Sequence, residues 1–107
     1  MPRAIEVNGK SYTIPKHKAI VWRRFMEFQE EKKDMTVVEA MTKMCELIIL
    51  LFGAGFPAKT AYELMEIVDT EEIIPLYNEA YDAINGQLIA KMEQLPKDGP
   101  AEEKSQS

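Results

Sequence analysis

The sequence has few of the residues from which catalytic and metal sites are usually built. It contains one cysteine, one histidine and one tryptophan in 107 residues. The single thiol, Cys45, cannot form an internal disulfide, and the single imidazole, His17, cannot build a histidine-based metal site or a Ser-His-Asp triad. We therefore expect a reducing compartment and a non-enzymatic protein that needs no cofactor and no metal.

Long apolar runs are also missing. The longest, residues 47–52, extends at most to Ala58 through two glycines, about half the length of a bilayer-spanning helix. Over residues 5–8, apolar and polar side chains alternate instead of forming the apolar core of a signal peptide. We expect neither a membrane span nor secretion.

Basic charge is scarce overall, with 13 Lys and Arg against 18 Asp and Glu and a net charge of -5. Residues 1–34 carry a net charge of +3 and residues 35–107 a net charge of -8. An acidic protein is not expected to bind nucleic acid phosphates as its main task. A small basic patch near the first helix keeps a nucleic-acid surface open as an alternative to a solvated face. Its members are Lys16, Lys18, Arg23 and Arg24, with His17 and Trp22 among them.

A hydrophobic content of 46% in a chain of this length predicts one folded domain. We predict a mainly α fold, with an N-terminal β-hairpin followed by a bundle of about four helices. This domain covers residues 1–95. A polar tail that is expected to be disordered follows over residues 96–107, because it cannot bury apolar area.

The hairpin is predicted over residues 4–14, where Asn8-Gly9 is flanked by alternating apolar positions. Both turn residues tolerate the positive φ of a type I′ turn. A two-residue loop pairs Val7 with Lys10, Ile5 with Tyr12 and Arg3 with Ile14. The apolar face of this hairpin is expected to consist of Ile5, Val7, Tyr12 and Ile14.

Two helices follow the hairpin in the prediction. Pro15 suits the first turn of a helix that runs to about Lys33. Thr36 and Glu39 form a capping-box pattern, which starts a second helix that ends at Gly53. Residues 47–52 could by composition form a buried strand, but they continue a helical pattern and we interpret them as helix.

Two further helices complete the predicted bundle. Thr60 and Glu63 repeat the capping-box pattern and start a short helix that ends near Asp69. A long helix then keeps its apolar spacing to Leu95. Pro75 lies near its start, which predicts either a kinked first turn or a true start near Ile74.

A glycine pattern after the second helix resembles a nucleotide-binding fingerprint. Gly53-x-Gly55-x-x-Ala58 follows an apolar run, as in the variant dinucleotide motif. That motif requires a preceding strand and a helix directly after it, whereas the surrounding sequence predicts helices only. A helix C-terminus followed by a turn is the favoured interpretation.

The middle of the chain carries more apolar side chain than a small acidic protein needs. Seven methionines are present, and methionine-lined surfaces can adapt to varied partners. A Met-rich core explains them equally well as an exposed groove or a self-association face. For an exposed surface, the candidate binding residues are Met41, Met44, Ile48, Leu51, Phe52, Phe56 and Met65.

The order of elements resembles the small tail assembly chaperones of long-tailed, siphovirus-type phages and prophages. The resemblance covers residues 4–95 and lies in the segments IEVNGKSYTI, RRFMEFQEEK, TVVEAM, LLFG, AYELMEIV and EEIIPLYNEAYDAI. It is a pattern of helices and apolar spacings, so it transfers no individual functional residue.

The resemblance implies a non-enzymatic chaperone that binds the tape-measure protein, keeps it soluble and helps to recruit tail-tube protein. Such a chaperone works in the host cytoplasm and is absent from the mature virion. It has no membrane or nucleic acid partner and can form homo-oligomers. A frameshifted longer product, common in that family, would extend from the polar tail. The alternatives are a small phage-encoded inhibitor or regulator of a host protein and, less favoured, a nucleic-acid-binding regulator.

Overall fold

The computed structural model describes residues 4–93, except for the side chain of Gln87. It contains strands β1 (Ala4–Val7) and β2 (Lys10–Thr13) and helices α1 (Ala19–Glu31), α2 (Val37–Phe52), α3 (Ala61–Ile67) and α4 (Thr70–Met92). Short 3-10 turns at Lys32–Asp34 and Gly53–Gly55 follow α1 and α2. The four helices and the two 3-10 turns together account for 72% of the described residues, which confirms the predicted mainly α class with an N-terminal hairpin. The predictions for Arg3, Leu95 and the tail over 96–107 lie outside the described residues.

The hairpin has the predicted register. β1 and β2 are antiparallel, and Ile5 lies opposite Tyr12 while Val7 lies opposite Lys10. The two turn residues have positive φ angles, 55° at Asn8 and 79° at Gly9, as a type I′ turn requires. Of the predicted apolar face, Ile5, Val7 and Ile14 are buried and Tyr12 is half-buried. The alternation of side chains along the strands was therefore sufficient to predict this element.

Helix α1 begins at Ala19, four residues later than the position predicted from Pro15. Lys18 precedes the helix in an extended conformation and its side chain makes no capping hydrogen bond. The basic residues over 16–18 would lie at the positive end of the helix dipole if the helix began at Pro15, which is unfavourable. This segment instead forms the connection between the hairpin and α1.

Helix α2 has both of its predicted ends. The Thr36 hydroxyl accepts a hydrogen bond from the Glu39 amide at 3.1 Å, and the Thr36 amide donates to the Glu39 carboxylate at 3.0 Å. The helix ends at Gly53, whose φ of 72° is favourable for glycine. Residues 47–52 are helical throughout, so the interpretation of this apolar run as helix is confirmed.

Helix α3 is short and its capping differs from that of α2. The Thr60 hydroxyl accepts from the Glu63 amide at 3.2 Å, as predicted. The Glu63 carboxylate, however, accepts from the amide of Lys59 at 2.6 Å rather than from the amide of Thr60. The pattern therefore predicted the start of the helix correctly. The amide that donates to the Glu63 carboxylate, however, belongs to the residue before the predicted one.

Helix α4 begins at Thr70, with Asp69 as its extended N-cap residue, and Pro75 lies in its second turn. A start near Ile74 is therefore wrong. Proline lacks an amide hydrogen and cannot donate to the Glu71 carbonyl, but Glu71 is exposed, so water can satisfy this group. The loss is confined to one hydrogen bond close to the end of the helix, where it is least disruptive.

The core forms around α2, which packs against α1, α3 and α4, while β1 packs against α4. Aromatic side chains make close contacts within this core. The Phe25 and Tyr77 rings stack at 5.5 Å, Phe52 and Phe56 stack at 4.7 Å, and Tyr12 meets Phe56 edge-on at 5.4 Å. No polar or charged residue is buried within residues 4–93. None of the helices in this range is long and apolar enough to cross a membrane.

Candidate binding groove

An open apolar groove of about 610 Å³ lies between the first turns of α2 and α3 and the start of α4. We call it the apolar groove. It is lined by Val37, Val38, Met41, Thr42, Ala61, Tyr62, Met65, Val68, Thr70 and Ile73. Neither histidine nor cysteine is among these residues and no charged side chain lines the groove, so its lining is suited to binding apolar groups.

The two walls of the groove are built from equivalent turns of two helices. Residues 36–41 read TVVEAM and residues 60–65 read TAYELM, so a T-x-x-E-x-M pattern occurs twice. In each helix the first, second and fifth residues line the groove. The threonine and glutamate of each pattern form the capping hydrogen bonds, which hold the two turns in place.

Three side chains of the groove are exposed to an extent that is unusual for large apolar groups. Val37 is 79% exposed, Val38 74% and Tyr62 81%. Beneath them Met41 and Met65 are half-buried and Ile73 is buried. A rim of exposed apolar groups above an apolar floor is typical of a surface that contacts another apolar surface.

The structure corrects much of the predicted binding set. Ile48, Leu51, Phe52 and Phe56 are buried in the core, where they contact the rest of the domain and not solvent. Of these four, Phe52 and Phe56 also contact the ring of Tyr12 in the hairpin. Met44 is half-buried and packs against the core, but it does not line the groove.

Two of the predicted residues do belong to the groove, namely Met41 and Met65. The sequence interpretation missed the most exposed members, Val37, Val38 and Tyr62. These occupy the first turn of their helices, where an apolar side chain is not required by the helix itself. The repeated T-x-x-E-x-M pattern is the signal in the sequence that could have identified them. The residues at the same positions of the two repeats line the same groove.

The glycine pattern after α2 does not have the geometry of the dinucleotide fingerprint. Gly53 and Gly55 form a 3-10 turn at the end of a helix, and the strand that the fingerprint requires before them is absent at this point. Gly53 serves as the C-cap residue of α2, and its amide donates to the carbonyl of Ile49. The interpretation of this pattern as a helix C-terminus is therefore confirmed.

The single cysteine lies in the core, and one arginine of the basic patch is paired with a glutamate. Cys45 is fully buried, and this burial, with a smaller contribution from the nearby charge of Glu46, raises the pKa of its thiol to about 11. Such a thiol is a poor nucleophile near neutral pH. In the basic patch, Arg23 donates to the Glu27 carboxylate at 2.8 Å, and this hydrogen bond raises the pKa of the guanidinium.

The fold and the groove define a small helical protein with a β-hairpin and one conspicuous apolar surface. Comparisons with protein family models, with curated proteins and with solved structures found no match.

Proposed function

We propose that this protein is a tail assembly chaperone of long-tailed phages, which binds the tape-measure protein through the apolar groove and keeps it soluble. The observation that carries the proposal is the exposure of Val37, Val38 and Tyr62 around one groove. Water contact with this much clustered apolar surface is unfavourable, and a partner that covers it gains about 25 cal/mol for each Å² removed from water. The groove is therefore a site for a protein partner.

The shape of the groove favours a helical client. Two helix turns form its walls and the residues between them form its floor, an arrangement that accepts the apolar side chains of an amphipathic helix. Met41 and Met65 lie within it, and their unbranched side chains can adjust to different apolar groups. A tape-measure protein is long and helical and would present many such faces in sequence.

The charge of the chain supports a role in solution. A net charge of -5 keeps copies of a small protein apart even though part of its surface is apolar. In the proposed role the chaperone holds the client in the host cytoplasm while tail-tube subunits assemble around it. It then leaves, and it is not part of the mature virion.

Co-expression with the product of a long, helix-rich reading frame found beside this gene tests the proposal. The wild-type chain should raise the soluble fraction of that protein, and the Val38→Ser/Tyr62→Ser variant should not. Serine keeps the net charge and is well tolerated in the first turn of a helix. Ile20→Ser is the matched control, because Ile20 is an exposed apolar residue (51%) that lies on α1 outside the groove.

Two results would contradict the proposal. Equal solubilisation by the wild type and by a folded Val38→Ser/Tyr62→Ser variant would remove the groove from the function. A gene that has no long, helix-rich reading frame beside it would favour the alternative, a small inhibitor or regulator that binds a host protein in equal stoichiometry.

A further inference from the structure

A second depression, about 410 Å³ in volume, adjoins the apolar groove and, unlike it, is lined by acidic side chains. It lies between the hairpin turn and the first turns of α4, and we call it the acidic cleft. Its lining residues are Glu6, Val7, Asn8, Gly9, Val68, Asp69, Glu72, Pro75, Leu76 and Glu79. Four of these carry carboxylates and none carries a basic group.

The groove and the cleft meet at the segment that joins α3 to α4. Val68 lines both of them. The residues that follow alternate, since Asp69 and Glu72 line the cleft while Thr70 and Ile73 line the groove. A partner that lies in the apolar groove and extends past Val68 therefore reaches four carboxylates.

Local structure accounts for only part of this acidic charge. Asp69 and Glu72 lie at the N-terminus of α4, where acidic groups are favourable because of the helix dipole. Glu6 is on β1 and Glu79 is in the third turn of α4, so neither has this role. None of the four carboxylates forms an ion pair with another residue in the range 4–93. They also do not form a group that could hold a metal ion.

The chain segments that form the groove itself have the same sign of charge. Residues 37–42 and 61–73 contain six acidic residues and no lysine or arginine. Two of these six, Glu39 and Glu63, accept capping hydrogen bonds, and the others remain as exposed charge on the described surface. A partner with basic groups at its edge is attracted by this field, and nucleic acid or an acidic helix is repelled.

We infer that the occupant of the apolar groove is an amphipathic helix whose apolar stripe is followed, at one end, by lysine or arginine side chains that enter the acidic cleft. This inference rests on the proposed function, because it takes the groove to be the client site. The apolar contacts supply most of the affinity, and the carboxylates set the direction in which the helix lies. They also make binding sensitive to salt, since the pairs are close to the surface.

The end of α4 in a second copy of this chain is a weaker fit to the same surface. The exposed apolar residues on the last turns of α4 are Leu88, Ile89 and Met92. Within residues 88–93 the only basic side chain is Lys91, and Glu93 offsets its charge. This end of α4 therefore lacks the excess of basic charge that the cleft would favour.

Three synthetic helical peptides test the inference by fluorescence anisotropy with the full chain. They share one Leu and Met stripe and end in two lysines, two glutamines or two glutamates. We expect the lysine peptide to bind about tenfold more tightly than the glutamine peptide at low salt, and the glutamate peptide to bind most weakly. High salt should remove most of this difference.

Charge-neutralising variants identify the groups responsible. Glu6→Gln/Glu79→Gln leaves two of the four carboxylates, so it should reduce the advantage of the lysine peptide from about tenfold to about threefold and leave the affinity of the glutamine peptide unchanged. Glu30→Gln/Asp34→Asn is the matched control, because it neutralises two exposed acidic residues at the end of α1 and the turn that follows it. This control should keep the full advantage.

The outcomes separate the inference from the proposed function. If all three peptides bind equally and Val38→Ser/Tyr62→Ser abolishes binding, the groove is a client site and the basic partner is wrong. If no peptide binds, or if that groove variant binds all of them normally, both proposals fail. A dimer in analytical ultracentrifugation that the groove variant loses would assign the groove to a second copy and overturn the inference.

Discussion

The side-chain amide of Gln29 donates a hydrogen bond of 2.8 Å to the hydroxyl of Tyr77 and joins α1 to α4. Tyr77 is almost completely buried, and its ring stacks on Phe25 and meets Phe28 edge-on. Gln29 is half-buried and lies at the edge of the same contact. The hydroxyl of a core tyrosine thus has its partner at the boundary of the domain, which makes the two residues unequal in their contributions to stability.

Removal of the tyrosine hydroxyl and removal of the glutamine amide should lower the free energy of unfolding by different amounts. Tyr77→Phe keeps the ring contacts and frees the Gln29 amide to bind water, so we expect a loss of about 1 kcal/mol in the free energy of unfolding. Gln29→Ala leaves the buried hydroxyl without a partner, and we expect a loss of about 1–3 kcal/mol. Urea denaturation measures both. In the double variant, most of the cost of Gln29→Ala should disappear, and full additivity would show that the hydrogen bond does not contribute.

Alkaline pH should destabilise the protein through the same tyrosine. Burial raises the pKa of Tyr77 to about 12, against the opposing effect of the hydrogen bond from Gln29, compared with 10.0 in the absence of the fold. Between these values the folded chain retains a tyrosine proton that the unfolded chain has released, so the contribution of Tyr77 to stability is complete below about pH 10 and is lost as the pH rises toward 12. The loss should be on the order of 2 kcal/mol across this window. Urea midpoints measured from pH 8 upward should fall less steeply in Tyr77→Phe, and identical slopes in the two proteins would contradict this account.

Cys45 should react only when the domain opens. The thiol is buried in α2 and its pKa is raised to about 11, so both access and thiolate formation are restricted. We expect labelling by a disulfide reagent to be slow in buffer and complete within seconds in urea. A variant destabilised by about 1 kcal/mol should react roughly fivefold faster, because the open fraction rises by that factor. Immediate labelling of the folded chain would place the thiol at an accessible site.

The capping box of α2 offers a matched test of local stability. Thr36 and Glu39 satisfy each other's amides, and the hydroxyl of Thr36 is the group that alanine removes. Thr36→Ala should cost about 1 kcal/mol in the free energy of unfolding, whereas Thr36→Ser should cost little because it keeps the hydroxyl. Thermal denaturation followed by circular dichroism compares the two. Equal losses in both variants would show that the methyl group, and not the capping bond, is responsible.

Elements defined by neighbouring residues could be predicted from the sequence, and surfaces defined by distant ones could not. Asn8-Gly9 fixes the hairpin turn and register, and the Thr36–Glu39 pair fixes the start of α2, because each signal acts over a few residues. The burial of Ile48 or Phe56 depends instead on which elements cover α2, and apolar spacing alone does not contain that information. The predicted binding set therefore included core residues, and the groove became visible only when α2 and α3 were placed side by side.

Two leucines one turn apart on α2 test this division between core and surface. Leu47 is 4% exposed, whereas Leu50 is 42% exposed. Leu47→Asp would place a charge without a partner in the core, at a cost of about 3–5 kcal/mol, which is a large part of the stability of a domain of this size. Leu50→Asp leaves its carboxylate in contact with water and should cost about 1 kcal/mol or less. Circular dichroism should therefore show a cooperative thermal transition for Leu50→Asp and a strongly weakened or absent one for Leu47→Asp. A Leu47→Asp chain with wild-type stability would mean that the C-terminal half of α2 faces solvent, and the buried residues of this helix would then have to be reconsidered as part of the client surface.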